Sequence, residues 1–214
     1  PGPSLSVHTG ARFLFYQQRG PFDRYINDPG GFPADTIHFA RGETLASYFR
    51  VEPRISLSWQ FLPGQTLIAS ASHQYQPVHM GPVATTTLPL DHWIPSTDLI
   101  HPQAGTSFSL GWYPDLEWAG LEGYADSFYR HLTNQLEFIE DQSLLGFVKD
   151  NLDRQLTTGT GRVYGFELFI RKKAGRTQGW IGYTWSRAWR NFPDINKGNP
   201  FHPRHDRTHD INLV

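Results

Sequence analysis

The chain has 214 residues, with 19 Lys and Arg against 20 Asp and Glu, a formal net charge of −1 and no cysteine. A near-neutral chain without a basic tract carries no electrostatic footprint for nucleic acid, and the missing thiols exclude a disulfide scaffold, a cysteine nucleophile and a cysteine-bound zinc. Mean hydropathy is −0.47, and no run approaches the ~18 apolar residues of a transmembrane helix, a test that a transmembrane barrel escapes because only every second residue meets lipid.

The first predicted strand covers about residues 4–17, where Leu5, Val7, Ala11, Phe13 and Phe15 alternate with Ser6, His8, Gly10 and Arg12. Alternation with period two is the mark of a strand with two unlike faces. A long connection, 19–44, holds the break Pro29-Gly30-Gly31. The second strand, about 45–61, sets Leu45, Phe49, Val51, Pro53, Ile55, Leu57, Trp59 and Phe61 on one parity, and Arg50, Glu52, Arg54, Ser56, Ser58 and Gln60 on the other. Pro53 has no N–H for a ladder, so a bulge or local break is expected there. A tight turn at Pro63-Gly64 leads to a third strand, about 66–76, with small residues on both faces. A second long loop, 77–103, precedes the fourth strand, about 106–113, where Phe108, Leu110 and Trp112 oppose Ser107, Ser109 and Gly111.

A short turn at Pro114-Asp115 leads to a fifth strand, about 118–138, whose facing is ambiguous. Glu122 shares parity with Trp118, Phe128 and Leu132, so either a bulge flips the facing or Trp118 belongs to the turn. After a third long loop, 163–189 reads as a hairpin about Lys172-Lys173-Ala174-Gly175-Arg176. Tyr164, Phe166, Leu168 and Ile170, then Ile181, Tyr183, Trp185 and Trp189, line one face; Gly165, Glu167, Phe169 and Arg171, then Gly182, Thr184, Ser186 and Ala188, line the other. Each arm has about ten residues or more, the length of a tilted membrane-spanning strand. A connection at about 190–204 leads into an eighth strand.

Short and long connections therefore alternate strictly, as short periplasmic turns and long extracellular loops do in outer-membrane barrels. Trp59, Phe61, Trp112, Trp118 and Trp180 lie near the short turns, and Tyr48, Tyr75, Trp185 and Trp189 near the long loops, in the manner of two aromatic girdles. The fold class expected is all-β: an antiparallel transmembrane β-barrel segment of about eight strands, forming an open curved sheet rather than a closed packed barrel. Leu45, Phe49, Val51, Ile55, Leu57, Phe166, Leu168, Ile170, Ile181 and Tyr183 are expected to face lipid. No secretory leader precedes residue 4, and the last residues stop within an alternating run, so residues 1–214 are read as one partial barrel domain cut at both ends.

Candidate lumen-facing contacts for substrate or plug are Arg50, Glu52, Arg54, Glu122, Glu167, Arg171, Asp206 and Asp210; each also fits a plain ion-pair ladder between strands. Glu167 is expected opposite a basic or hydroxyl group on a neighbouring strand. His92 and Trp93 are candidate ligand contacts in a long loop, with an interfacial anchor as the blander reading. The stretch His202 to Asp210 carries three histidines and two aspartates, yet His205 and His209 stand roughly 13 Å apart on a strand, so no metal site is assigned. No hydrolase elbow, P-loop or dinucleotide fingerprint appears, and neither an enzyme nor a cofactor is expected.

Several stretches, in order, resemble the β-barrel of TonB-dependent outer-membrane receptors, in particular their Bacteroidetes-type group. These are Glu52-Pro53-Arg54 with Ile55 to Trp59; Gln76-Pro77-Val78-His79-Met80; Asp91 to Ser96 with His101-Pro102-Gln103; Glu122-Gly123-Tyr124; Tyr164-Gly165-Phe166-Glu167; Gly179 to Ser186; and Asp206 to Asn212. Thr208 and Gly123 depart from that pattern, standing where a second basic residue and a bulkier residue are common. The resemblance implies a barrel of about 22 strands around a plug, of which this chain is roughly the later third. It also implies energy-coupled import of a scarce nutrient through the outer membrane of a Gram-negative cell. The partners implied are outer-membrane lipid, an inner-membrane energy-coupling protein acting on the absent plug, and a small-molecule, glycan or peptide ligand. A passive channel or structural barrel, and a soluble β-rich glycan-binding module, are the competing readings.

Overall fold

The computed structural model describes residues 4–27, 33–81, 92–139 and 156–214. The Pro29-Gly30-Gly31 break, Asp91 and most of the third long connection lie outside the described residues. The described strands are β1 (Ser4–Arg19), β2 (Phe22–Asn27), β3 (Pro33–Phe39), β4 (Thr44–Leu62), β5 (Gln65–Gln76), β6 (Val78–Gly81), β7 (His92–Pro95), β8 (Gln103–Pro114), β9 (Leu121–Phe138), β10 (Leu156–Lys172), β11 (Gly179–Asn191) and β12 (His209–Leu213). Eight of them form one sheet in the order β1-β4-β5-β8-β9-β10-β11-β12, each antiparallel to its neighbours. β1 and β12 are its edges and do not pair with each other, so the sheet is open.

The eight strands coincide with the eight read from the sequence, and the short turns all fall at one end. Two long connections fold further: β2 pairs with β3, and β6 with β7, as hairpins beyond the main sheet. Their strands are short and lack a sustained apolar alternation, which is why sequence periodicity passes over them.

Register carries the two faces across the sheet. Phe13 stands opposite Val51, Phe15 opposite Phe49, Phe166 opposite Trp185 and Ile170 opposite Ile181. These side chains are uncovered: Phe13 68%, Phe15 67%, Phe49 59%, Leu168 44% and Ile170 53% exposed. A continuous apolar surface of this breadth is unsupportable in water and is the normal outer face of a barrel in lipid. The opposite face carries Arg12, Glu52, Arg54, Arg130, Asp126, Glu167 and Arg171 among small residues. It is the lumen face.

Three expectations about facing are corrected. Leu45 is 8% exposed and lies at the top of β4, beyond the apolar band, so it does not face lipid. Tyr48, also 8% exposed, is opposite Tyr16 on the lumen face, where its hydroxyl donates to the Thr97 carbonyl. Trp180 is opposite Arg171 and its ring lies against Phe169, again on the lumen face. Parity, not proximity to a strand end, thus decides the facing of Tyr48 and Trp180, and it turns both away from the lipid girdles.

Two irregularities explain the remaining ambiguities. β4 pairs with β1 straight through Pro53, opposite Ala11, but its ladder with β5 ends at Arg54 opposite Ser72. The break expected at Pro53 is thus one-sided: the missing N–H falls on the β5 flank, and β4 and β5 part above it. In β9, the register with β10 shifts between Gly159 and Gly161, and Asn134 takes a φ of 54°. This bulge flips the facing of the upper strand. Below it Tyr124, Asp126, Phe128 and Arg130 point inward; above it Gln135 and Glu137 do, and both meet Arg190 of β11. Trp118 lies in the 3-10 turn Glu117–Ala119 before β9 begins, so Glu122 keeps the lumen parity.

Candidate functional site

The lumen face is built in layers from the mouth downward. At the mouth, β7 and the segment after it pack against the upper ends of β4, β9 and β10. Ile94 and Ile100, each 2% exposed, pack with Leu136 of β9 and Leu156 of β10. On the other side, Tyr48 of β4 binds the Thr97 carbonyl, and His101 Nδ1 lies 3.1 Å from the Tyr48 hydroxyl. The strap is therefore pinned at both flanks. Asp98 is also paired with Arg24 of β2, which ties the two loop hairpins together. The hydrogen bond from Arg24 holds the Asp98 carboxyl below the usual carboxylate range. His79 of β6 is 2% exposed, with Nε2 3.2 Å from Ser96 Oγ, and burial pushes its imidazole below the ordinary histidine value. Trp93 points away, 67% exposed. His92 opens β7 opposite Gly81, and its side chain lies outside the described residues.

Beneath the strap, the parting of β4 and β5 is closed by one carboxylate. Glu52 is 4% exposed; its Oε1 accepts the Tyr75 N–H at 2.8 Å and its Oε2 pairs with Arg12 of β1. The Tyr75 amide is one that the β4 ladder would have used had Pro53 not ended it, so Glu52 supplies the acceptor that the broken ladder does not. Arg50 lies over the rings of Tyr48 and Tyr75, 5.2 and 5.5 Å from their centroids. Arg12 is the partner that sequence reasoning missed; its place on the polar parity of β1 was the available signal.

Lower on the wall runs an acidic row. Asp126 of β9 stands opposite Glu167 of β10, Glu167 opposite Thr184 of β11, and Thr184 opposite Asp210 of β12. Glu167 thus has the expected hydroxyl neighbour on one flank and a carboxylate on the other. Asp126 Oδ1 is buried without a hydrogen-bond partner among the described residues, and Asp210 Oδ1 accepts from Asn212 at 3.0 Å. Near the short turns, Glu122 stands opposite Arg171 and pairs with both Arg171 and Lys173.

Asp206 plays a different part from the one anticipated. Its carboxylate is 8% exposed, accepts the Ala188 N–H at 3.1 Å and lies 3.0 Å from His202 Nδ1. It anchors the loop before β12 rather than lining an open lumen. His202 in turn lies on Trp189, ring centroids 3.8 Å apart, while His209 lies against Tyr183. His202 and His209 thus lie against different rings. Sequence reasoning also missed Arg130, inward on the strand whose facing was ambiguous, and Arg190, which it placed in the connection after the hairpin but which lies inward at the end of β11. Arg190 binds Glu137, the Gln135 side chain and the Leu136 carbonyl, and lies over Phe192.

An open antiparallel sheet with a bare apolar exterior, a charged interior, short turns at one end and folded loops at the other defines a segment of a transmembrane β-barrel. Residues 2–206 match the family model described as TonB dependent receptor-like, beta-barrel, and the chain belongs to that family. No curated protein and no solved structure matches it. Members of the family are transporters rather than enzymes.

Proposed function

We propose that residues 1–214 form one partial barrel domain of an energy-coupled receptor in the outer membrane of a Gram-negative cell. The receptor imports a scarce nutrient. The observation that carries the reading is the pairing of an uncovered apolar exterior with a lumen wall of ordered charge: Arg12–Glu52, the Asp126–Glu167–Asp210 row and Arg171–Glu122. Such a wall suits a plug that must dock, then shift when an inner-membrane coupling protein pulls on it. The likeness of Glu52 to Trp59 and of Tyr164 to Glu167 to the Bacteroidetes-type group favours that branch of the family.

Within this reading Glu167 and its acidic neighbours hold basic groups of the plug, and Arg50, Glu52 and Arg54 keep the upper wall in shape around the ligand path. Trp93 and His92 contact ligand from the outer loops, and Glu122 with Arg171 sets the periplasmic rim. The test is electrical and energetic. The full receptor in a planar bilayer should give no steady conductance, and uptake should stop when the coupling protein is deleted. A large permanent conductance with uptake indifferent to coupling would make the protein a passive channel instead. Glu167→Ala should weaken uptake while barrel assembly and the unfolding midpoint stay unchanged. A lowered midpoint with unaltered uptake would reduce Glu167 to a strand-to-strand contact.

A further inference from the structure

The lumen wall carries a second pattern, separate from the acidic row and about four residues nearer the mouth. Arg54 of β4 stands opposite Ser72 of β5, Ser72 opposite Ser107 of β8, and Ser107 opposite Arg130 of β9. All four lie on the inward parity. Two arginines thus bracket two serines in one row, their Cα atoms three strand spacings or roughly 14 Å apart.

On the β5–β8 side the wall above the row is uncharged and rich in donors and acceptors. Just above it a cavity of about 590 Å³ is lined by Gln74, Gln76 and Gln103 as well as Ser72, Ser107 and Arg130, and its lining contains no carboxylate. Just below it, Ser70 and Ser109 share a hydrogen bond of 2.8 Å. A smaller recess of about 60 Å³ beside the larger one includes Arg54 and again Ser72, together with the Arg12–Glu52 pair.

The two arginines also differ from Arg12, Arg171 and Arg190 in what they bind. Arg12, Arg171 and Arg190 each have a carboxylate partner. Among the described residues, Arg54 and Arg130 have none. Arg130 spends only its Nε, donated to Ser107 Oγ at 3.2 Å, which fixes the guanidinium plane and leaves its terminal N–H groups free. Arg54 lies across Gly10 of β1: a Cβ added at Gly10 would sit 2.8 Å from Arg54 Nε. The glycine makes room for that pose, which holds Arg54 toward β1 and keeps the two cations apart.

We infer that this tray binds an acidic oligosaccharide. A planar guanidinium with free N–H groups is matched by a carboxylate, which it engages through two parallel hydrogen bonds. The serines and glutamines between the arginines match the hydroxyls of sugar rings, each amide and hydroxyl offering both a donor and an acceptor. The separation of the arginines calls for a chain of several sugar units with carboxylates on more than one. A single small acid reaches only one of them. A neutral glycan leaves both cations unanswered, because the carboxylate beside Arg54, that of Glu52, is taken by Arg12 and the Tyr75 N–H. The acidic row lies roughly 13 Å further down the strands, far enough to leave the tray's own field positive.

This inference deepens the import reading and rests on it for its biological sense, but its test is a binding measurement that does not require transport. The full receptor in detergent is titrated calorimetrically with a tetramer of galacturonic acid, with the monomer, and with a neutral maltotetraose. The tetramer should bind at least tenfold more tightly than either. Arg54→Gln and Arg130→Gln should each weaken it on the order of tenfold, and the double variant should abolish measurable binding. The unfolding midpoint of each variant is recorded, and Arg→Lys variants, which keep charge but lose the paired geometry, serve where a glutamine variant fails to fold. Equal affinity for the neutral tetramer, a monomer within threefold of the acidic tetramer, or arginine variants with unchanged affinity would overturn the proposal. Energy-coupled uptake of another solute without acidic-tetramer binding would sink the tray and leave the import reading standing. Tetramer binding with uptake indifferent to coupling would do the reverse.

Discussion

At the scale of residues, the wall depends most on Glu52. Arg12 is 65% exposed at its side chain and Glu52 only 3%. The ion pair is screened on the arginine side and contributes little by itself. The larger effect is the Tyr75 N–H, whose acceptor is the Glu52 carboxylate. Glu52→Leu leaves that donor and Arg12 without partners and should lower stability by about 1–3 kcal/mol. Glu52→Gln keeps an acceptor for the amide and should cost less than half as much. Urea unfolding of the receptor in detergent compares them, and equal losses would mean that the charge, not the acceptor, matters.

The strap responds to acid in two steps. Burial lowers the His79 imidazole and the hydrogen bond from Arg24 lowers the Asp98 carboxyl. Both folded values lie below those of the opened loop. Each contribution is therefore present above the ordinary value and lost as pH falls through the folded one. Anchoring should weaken first below about 6.5, the ordinary histidine value, and again below about 3.9, the ordinary carboxylate value. Hydrogen exchange at the Thr97 and Ile100 amides, which are bonded to the Ile100 carbonyl and Thr97 Oγ1, follows this, corrected for intrinsic rates. His79→Gln should remove the first step and Asp98→Asn the second.

At the scale of elements, close approach of neighbouring strands fixes certain glycines. Gly123, where the family pattern tolerates bulk, has no room here: an added Cβ would lie 2.5 Å from the Phe169 carbonyl oxygen. A backbone atom in a ladder yields less readily than a side chain, so Gly123→Val should destabilise by about 1–3 kcal/mol. Gly182 is the contrasting position, with only the Trp180 ring nearby at 3.5 Å. Gly182→Ala should be nearly neutral in the same unfolding assay. Matching losses at both positions would argue against strand proximity as the cause. The bulge at Asn134 works on the same scale, turning Gln135 and Glu137 onto the face where Arg190 can bind them.

At the scale of the whole molecule, the sheet gains its stability from lipid on one face and from ordered polar contacts on the other. Leu168→Arg places a cation on the apolar band and should cost about 2–4 kcal/mol in a bilayer. Ser70→Arg, on the lumen face, should cost far less. Folding into lipid vesicles across a urea series measures both, and similar penalties would contradict the assignment of faces.

The sequence alone determined the eight main strands, their antiparallel order, most of the lipid face and a break at Pro53, because period-two alternation and turn residues are local properties of the chain. It also placed Glu52, Glu167 and Arg171 on the inner face by parity, and left Glu122 between two facings. Only the tertiary structure decided register, and register set Asp126 beside Glu167 and aligned Arg54, Ser72, Ser107 and Arg130 in one row. Those residues are far apart in the chain, and no local pattern states which strand positions lie opposite each other. The bulge in β9 and the strap at the mouth were equally out of reach. Each depends on contacts between distant segments, such as Ile94 with Leu136 and Tyr48 with Thr97, that exist only once the sheet has formed.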